Sequence, residues 1–191
     1  MSKRLIAILG FLFLVLPLSS AWADEYTETI AIFEDAGESS ELMKTAYGYA
    51  VFPTVGKVGV GIGGAYGKGR VYEKGQYIGD TSVKQLTVGL QAGGQAYSQL
   101  ILFQHPEALK EFTGGNFEFG AEASAVAITA AAGAQTGTTG GSMGASGGRK
   151  DATTAGRYRN GVAIFTIAKG GLMYEASVGG QKFTYTPKGQ Q

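Results

Sequence analysis

Three basic residues, Lys57, Lys68 and Arg70, border residues 58–63, in which valine or isoleucine alternates with glycine. Alternation by two is the period of a strand, so the apolar side chains share one face and the glycines leave the other face as bare backbone. Backbone N–H groups and small residues beside cations allow an anion to approach closely. We therefore predict an anion-binding or lipid-binding site at these three residues; the alternative is that they only solvate the strand ends.

A second basic group lies at and beyond the end of residues 130–154, a stretch rich in Ala, Gly, Thr and Ser. A long segment of this composition within a domain is typical of a functional or mobile loop, and we predict a mobile one. Arg149 and Lys150 lie near its end, and Arg157 and Arg159 would share one face of a strand. This group predicts either a lipid headgroup site or an edge strand that charge protects from pairing.

Few residues could support catalysis. His105 is the only histidine and there is no cysteine, so a zinc site would have to depend on carboxylates, and we propose none. His105 precedes a proline at a predicted helix start, and no G-x-S-x-G motif is present. Glu118 and Glu122 lie about 13 Å apart along a predicted strand, which is too far for a glycosidase pair. We predict that the protein is not an enzyme and has no metal.

Residues 59–64 match the letters of a dinucleotide-binding motif, G-x-G-x-x-G, with Asp80 near the usual acidic position. Such a motif must close a strand and open a helix, whose N-terminus holds the pyrophosphate. Residues 65–72 show no helical periodicity and lead into another strand. We therefore predict no nucleotide cofactor.

The first 23 residues have the features of a secretory signal peptide. Two basic residues precede an apolar run over residues 5–18, and residues 21–23 form an A-x-A cleavage signature. The run would extend only about 21 Å as a helix, less than the roughly 30 Å of a bilayer core. We predict cleavage after Ala23, a single domain over residues 24–191, and export to the periplasm or the medium, either free or peripherally attached to a membrane.

Charge and cysteine content narrow the function further. Removal of two of the 16 basic residues with the signal peptide leaves 14, against 15 acidic residues. This balance does not indicate a nucleic-acid partner, so anion binding must come from a local patch. The absence of cysteine excludes disulfides and a lipid-modified cysteine.

Apolar periodicity predicts a chain composed mainly of strands. Residues 24–46 predict two short helices, the first ended by Gly37 and the second capped by Ser39 or Ser40, and residues 105–112 predict a third. Strands are predicted over residues 49–52, 58–66, 70–73, 83–97, 99–103, 116–129, 161–168, 172–178 and 183–185.

The predicted fold is α+β and mainly β, with a strongly curved or closed antiparallel sheet and two or three short flanking helices. Gly alternation supplies the curvature. Large aromatic side chains are usually core residues, so we expect most of this set to be buried. The set comprises Phe52, Tyr66, Tyr72, Tyr97, Phe103, Phe112, Phe117, Phe119, Phe165, Tyr174 and Phe183.

Several segments, in this order and spacing, resemble the SYLF family, also called Ysc84. They are AYGYAVFP at residues 46–53, the Gly-rich residues 58–69, LTVGLQAGGQ at 86–95, FEFGAEAS at 117–124 and AKGGL at 168–172. The resemblance covers about residues 42–183. It implies lipid binding, which in eukaryotic members is directed to phosphoinositides and is associated with an amphipathic N-terminal helix and basic residues.

The N-terminal segment departs from that pattern. Residues 24–46 contain seven acidic residues and one basic residue, Lys44, so they would repel an anionic headgroup. We therefore expect an exported bacterial lipid-binding protein that contacts phospholipid or an envelope surface through the Gly-rich strand and residues 130–154. The alternatives are a structural or protein-interaction module of the envelope and a small outer-membrane barrel. The short predicted strands and interleaved helices disfavour the barrel.

Overall fold

The computed structural model describes residues 24–120, 126–128, 158–169 and 178–190, which contain three helices and five strands. The predictions for residues 1–23 and 130–154, for Arg149, Lys150 and Arg157, and for Tyr174 lie outside these residues. In chain order the elements are α1 (Glu25–Asp35), α2 (Gly37–Thr45), β1 (Gly48–Glu73), β2 (Gln76–Phe103), α3 (Pro106–Thr113), β3 (Val126–Ile128), β4 (Val162–Lys169) and β5 (Lys182–Pro187).

One antiparallel hairpin, β1 and β2, dominates the fold. Its strands are 26 and 28 residues long and are joined by Lys74 and Gly75, whose φ angles of 48° and 79° fit the two-residue turn that matches strand twist. The prediction of separate strands over residues 49–52, 58–66 and 70–73 was wrong, because β1 pairs with β2 throughout. The register shifts between Phe52 and Val55 and between Val60 and Gly61, but the two strands resume pairing after each shift.

Strand β1 folds back on itself at its glycines. A Cβ on Gly59 would lie 2.4 Å from the Cα of Gly63, and one on Gly69 would lie 2.6 Å from the ring of Phe52. The two halves of the strand therefore approach each other more closely than any larger residue would permit. The curvature predicted from Gly alternation is confirmed, and the element that packs against β1 is its own other half. We call residues 58–63 the bend.

The other strands extend the sheet from β2. Strand β4 pairs with residues 96–103 of β2 and β5 with residues 79–84, both antiparallel, while β3 runs parallel to β4. Within the described ranges β1 pairs with neither β3 nor β5, so the sheet is strongly curved rather than closed. Of the strand predicted over residues 116–129, Val126–Ile128 form β3, residues 116–120 make only a single bridge, between Glu118 and Lys182, and the other positions lie outside the described residues.

Two hydrophobic cores lie on the two faces of the sheet. The inner core fills the folded hairpin and includes Phe52, Phe103 and Phe183, with Phe112 of α3 packed against Phe103 at a ring distance of 4.9 Å. The outer core lies under α1 and α2 and is built around Phe33. Most of the predicted aromatic core is buried, namely Phe52, Tyr97, Phe103, Phe112, Phe119, Phe165 and Phe183, whereas Tyr66 is 49% exposed.

The N-terminal helices begin and end differently from the prediction. Helix α1 ends at Asp35, and Ala36 adopts an extended conformation before α2 begins at Gly37. Ser39 does not cap α2; it is buried, and its hydroxyl donates to the carbonyl of Phe33 at 2.5 Å. Burial against the end of α1 thus determined the role of Ser39. Among the described residues, no helix is long and apolar enough to cross a membrane.

Candidate functional site

The distal half of the hairpin presents one continuous outer face. From Gly61 to Val71 the register of β1 against β2 is unbroken, so side chains alternate strictly between the two faces. Ala65 and Val71 point into the inner core, and the intervening Tyr66, Lys68 and Arg70 therefore point outward. Strand alternation thus brings Lys68 and Arg70, two of the predicted anion ligands, onto the same surface.

Side chains of β1, β2 and β5 form rows across this outer face, because directly opposed residues of a ladder project on the same side. The rows become more apolar toward the bend. In order they are Arg70, Asp80 and Thr186; Lys68, Ser82 and Thr184; Tyr66, Lys84 and Lys182; and then Leu86, opposite Gly64, with Ile62 beyond.

Arg70 is engaged by the N-terminus of α1. Its guanidinium forms an ion pair with Asp24 and lies over the ring of Tyr26, 4.1 Å from the centroid. A second ring, that of Tyr77, lies 5.5 Å away. Arg70 therefore holds the start of α1 on the sheet, and an external anion would have to compete with Asp24 for it.

Glu25, in the same helix turn, contacts a different part of the sheet, at β1 and β4. Its carboxylate accepts a hydrogen bond from the hydroxyl of Thr54 at 2.9 Å and lies 3.5 Å from the ammonium of Lys169. Lys169 also donates to Thr54 at 2.7 Å. The two acidic residues at the start of α1 thus make local contacts to the sheet, and their charge is partly neutralised there.

Two shallow grooves lie beside this anchor, and Tyr26, Tyr66 and Lys68 line both. Their volumes are about 300 and 340 Å³, at the lower end of the range for small-ligand sites. Burial raises the pKa of Tyr26, although the charge of Arg70 opposes that shift, so the phenol stays neutral at physiological pH. The first groove also exposes hydroxyl groups of Ser82, Thr184 and Thr186, which together with the Lys68 ammonium suit the oxygens of a phosphate, whereas the Asp80 carboxylate in the same lining opposes an anion.

Lys68 and Lys84 are the free cations of the outer face. Both are exposed, and neither forms an ion pair within the part of the chain that the structure describes. Lys182, in the same row as Lys84, lies 3.4 Å from the carboxylate of Glu118. Sequence analysis missed Lys84, although a signal was present, because it is the only charged residue between positions 81 and 104.

The other predicted ligands do not join this group. Lys57 lies half-buried next to the bend, opposite Gln95. Arg159 is exposed before β4, where Val162 pairs with Phe103, and thus lies at the far end of the sheet from the bend. The structure therefore brings Lys68 and Arg70 together and leaves Lys57 and Arg159 apart from them.

His105 has a structural role. Its ring Nδ1 accepts a hydrogen bond from the N–H of Ala108 at 3.3 Å, which caps α3, and Glu107 lies 3.0 Å away. Gly161, with φ 76°, packs against the imidazole. A Cβ at this position would lie only 2.6 Å from the imidazole Nε2, so a larger residue would not fit. Within the described ranges, no cluster of His, Asp and Glu could hold a metal ion.

Comparison with known proteins gives two matches. A family model named Ysc84 and described as "Las17-binding protein actin regulator" matches residues 84–188, more than half of the chain. A relative, "Beta cell expansion factor A" from Aeromonas veronii, is 27% identical over 168 residues, covering 82% of this chain and 52% of that protein. The chain thus spans about half the length of this curated relative.

Proposed function

The chain belongs to the Ysc84 family, and we propose that it is an exported, non-enzymatic protein that binds anionic phospholipid through the outer face of its folded hairpin. The observation that carries this proposal is the separation of charge on the sheet. Asp80 is the only carboxylate among the outward residues of the rows across this face, and it stands opposite Arg70, whereas Lys68 and Lys84 form no ion pair within the described residues and Lys57 lies beside the bend. The chain as a whole is nearly neutral, so this surface has a positive potential that the overall composition conceals.

The magnitude of the attraction is adequate for reversible adhesion. Each lysine close to an anionic membrane contributes about 1 kcal/mol, so Lys68 and Lys84 on this face, with Lys57 beside the bend, give an attraction that depends strongly on salt. The grooves add hydroxyl donors that can bind phosphate oxygens directly. The acidic start of α1 does not oppose binding fully, because Arg70 and Lys169 pair with Asp24 and Glu25.

A sedimentation assay with anionic and zwitterionic vesicles tests the proposal. We expect a triple variant, Lys57→Gln, Lys68→Gln and Lys84→Gln, to bind anionic vesicles at least about tenfold more weakly than the parent. The matched control, Lys44→Gln, Lys110→Gln and Lys188→Gln, removes the same charge from other exposed sites and should bind like the parent. Equal losses in both triples would show that only net charge matters and would refute a site on this face.

A second candidate function is a protein-interaction module of the envelope, which the description of the family model as a Las17-binding protein favours. The same assay separates the two candidates. If the parent binds no vesicle of any anionic composition, lipid binding is wrong and a protein partner becomes the better explanation.

Export is part of the proposal and has its own test. Residues 1–23 carry the signal-peptide pattern, so the protein recovered from the periplasm or the medium should begin at Asp24. Mass spectrometry of that protein measures the N-terminus directly. A full-length chain in the cytoplasmic fraction would contradict export.

A further inference from the structure

Three large aliphatic side chains project into solvent around the bend. Val58 is 67% exposed, Ile62 73% and Leu86 84%, and together we call them the apolar tip. Leu86 lies opposite Gly64, and Ile62 lies two residues from Gly64 on the same face. Among the other residues whose burial the structure describes, the comparably exposed aliphatic side chain is that of Ile32, at 50%. Clustering of such residues at one place indicates a surface that meets an apolar partner.

The surroundings of the apolar tip indicate what that partner is. Lys84 is two residues from Leu86 on the same face, about 7 Å away along the strand, and Lys57 adjoins Val58. The next outward residues of β1, Tyr66 and Lys68, continue the order from apolar to aromatic to basic. An aliphatic end bordered by an aromatic ring and lysines is the pattern of elements that lie in a membrane interface.

Other occupants fit this surface less well. A second copy of the chain would bring its own lysines against these lysines, and the carboxylate of the outward rows, Asp80, lies opposite Arg70 at the other end of the face from the apolar tip. An acidic protein would pair with the lysines but would leave the aliphatic side chains facing charge. An anionic membrane satisfies both, because its headgroups are negative and its acyl boundary is apolar.

We propose that the bend inserts the apolar tip into the acyl boundary of an anionic phospholipid membrane, while Lys57, Lys68 and Lys84 stay at the headgroup level. This inference rests on the proposed function and adds the depth and orientation of the bound protein. Residues 58–63 enter first, and the hydroxyl-lined grooves come to lie near the phosphates. The base of the sheet, with α3 and Arg159, faces away from the membrane.

Fluorescence of a single tryptophan tests insertion. Trp22 is the only tryptophan and lies in the predicted signal peptide, so Leu86→Trp in the protein that begins at Asp24 carries one reporter at the apolar tip. We expect its emission to shift to shorter wavelength on anionic vesicles and to be quenched by lipids brominated on their acyl chains. Ile32→Trp in the same background is the matched control, since Ile32 is exposed on α1, and its emission should not change.

A second set of variants measures the contribution to affinity. Val58→Thr, Ile62→Thr and Leu86→Thr together keep strand-compatible side chains but remove apolar surface, so vesicle affinity should fall at least about tenfold. Ile32→Thr should bind like the parent. Because all four positions are exposed, the urea midpoint should be unchanged in every variant.

The outcomes separate insertion from lipid binding itself. Binding that depends on the lysines, with Leu86→Trp still as accessible to aqueous quencher as before, would overturn insertion and leave the proposed function standing. Absence of vesicle binding by the parent would overturn both. If the tryptophan at position 86 is already protected from aqueous quencher before lipid is added, insertion is wrong and another segment of the chain covers the apolar tip. Shielding that depends on protein concentration would overturn it in favour of a second copy.

Discussion

The two ends of the folded hairpin differ in the burial of their apolar side chains. At the base, residues 48–52 of β1 and 99–103 of β2 are covered by helices on both faces, and Val51, Phe52, Leu100 and Phe103 are fully buried. Around the bend, Val58 and Ile62 of β1 and Leu86 of β2 have their side chains in solvent. One pair of strands thus supplies the hydrophobic stability of the fold at one end and an unburied apolar surface at the other.

The difference shows that stability and contact with a partner can be separated along a single strand. Burial at the base provides the driving force for folding, since each fully buried large apolar side chain contributes about 1.5–3 kcal/mol. The exposed side chains at the bend contribute little to this driving force. Their identity can therefore be suited to a binding surface at little cost in stability.

The largest contrast should come from truncation of apolar side chains. Phe103→Ala at the base should lower the free energy of unfolding by about 3–5 kcal/mol, because it leaves a cavity beside Phe112. Ile62→Ala at the bend should lower it by less than about 0.5 kcal/mol, because the side chain is already in water. Urea unfolding measures both. Similar losses at the two positions would mean that the bend is buried by another part of the chain.

Alkaline unfolding tests whether the interior is as dry beside the bend as at the base. Burial raises the pKa of Tyr97, inside the hairpin near the bend, to about 12 despite an opposing hydrogen bond from Gln181. Burial likewise raises the pKa of Tyr49, at the base, to about 12. An unfolded tyrosine ionises near pH 10, so the stabilisation is complete below pH 10 and is lost as the pH rises toward 12.

Tyr97 should account for about 2–3 kcal/mol of that loss, and Tyr49, which is only half-buried and therefore partly screened by water, should account for less. Denaturant unfolding at several pH values between 9 and about 12 measures the loss. Tyr97→Phe and Tyr49→Phe should both make the decline shallower, Tyr97→Phe by the larger amount. A decline that Tyr97→Phe leaves unchanged, while Tyr49→Phe reduces it, would show that water reaches the interior near the bend.

Glycine substitutions test the close approach of the two halves of β1. Gly69→Ala should destabilise the protein by about 1–3 kcal/mol, because its Cβ would meet the Phe52 ring and lie 2.8 Å from the carbonyl of Val51. Gly56→Ala is the matched control, since nothing lies within 4 Å of that Cβ. Thermal unfolding of the pair gives the comparison. A neutral Gly69→Ala would mean that the halves lie further apart.

The smallest effect concerns the contact that ties α1 to the outer face. Asp24→Asn should release Arg70 and raise affinity for anionic vesicles by up to about fivefold, at the scale of one basic residue near a membrane. Glu34→Gln makes the same change of charge on an exposed residue of α1, away from Arg70, and should raise affinity less. Equal increases would indicate bulk charge and not the release of Arg70.

Much of the fold could be predicted from local pattern. Gly alternation over residues 58–63 indicated curvature, and the helix over residues 105–112 was placed within one residue of α3. The candidate site was only partly predictable. Strand period put Lys68 and Arg70 on one face, but the pairing of Arg70 with Asp24 joins residues 46 positions apart and has no local signature. Lys84 likewise reached the site only through its pairing opposite Tyr66.

The sequence by itself determined which segments extend, where the chain can curve and to which family it belongs, because periodicity and glycine act through neighbouring residues. Tertiary structure decided that β1 folds against itself, that the acidic start of α1 neutralises Arg70, and that Val58, Ile62 and Leu86 stay in solvent. These outcomes depend on which distant surfaces remain available after the two cores are filled. No local pattern distinguishes an apolar residue that finds such a surface from one that does not.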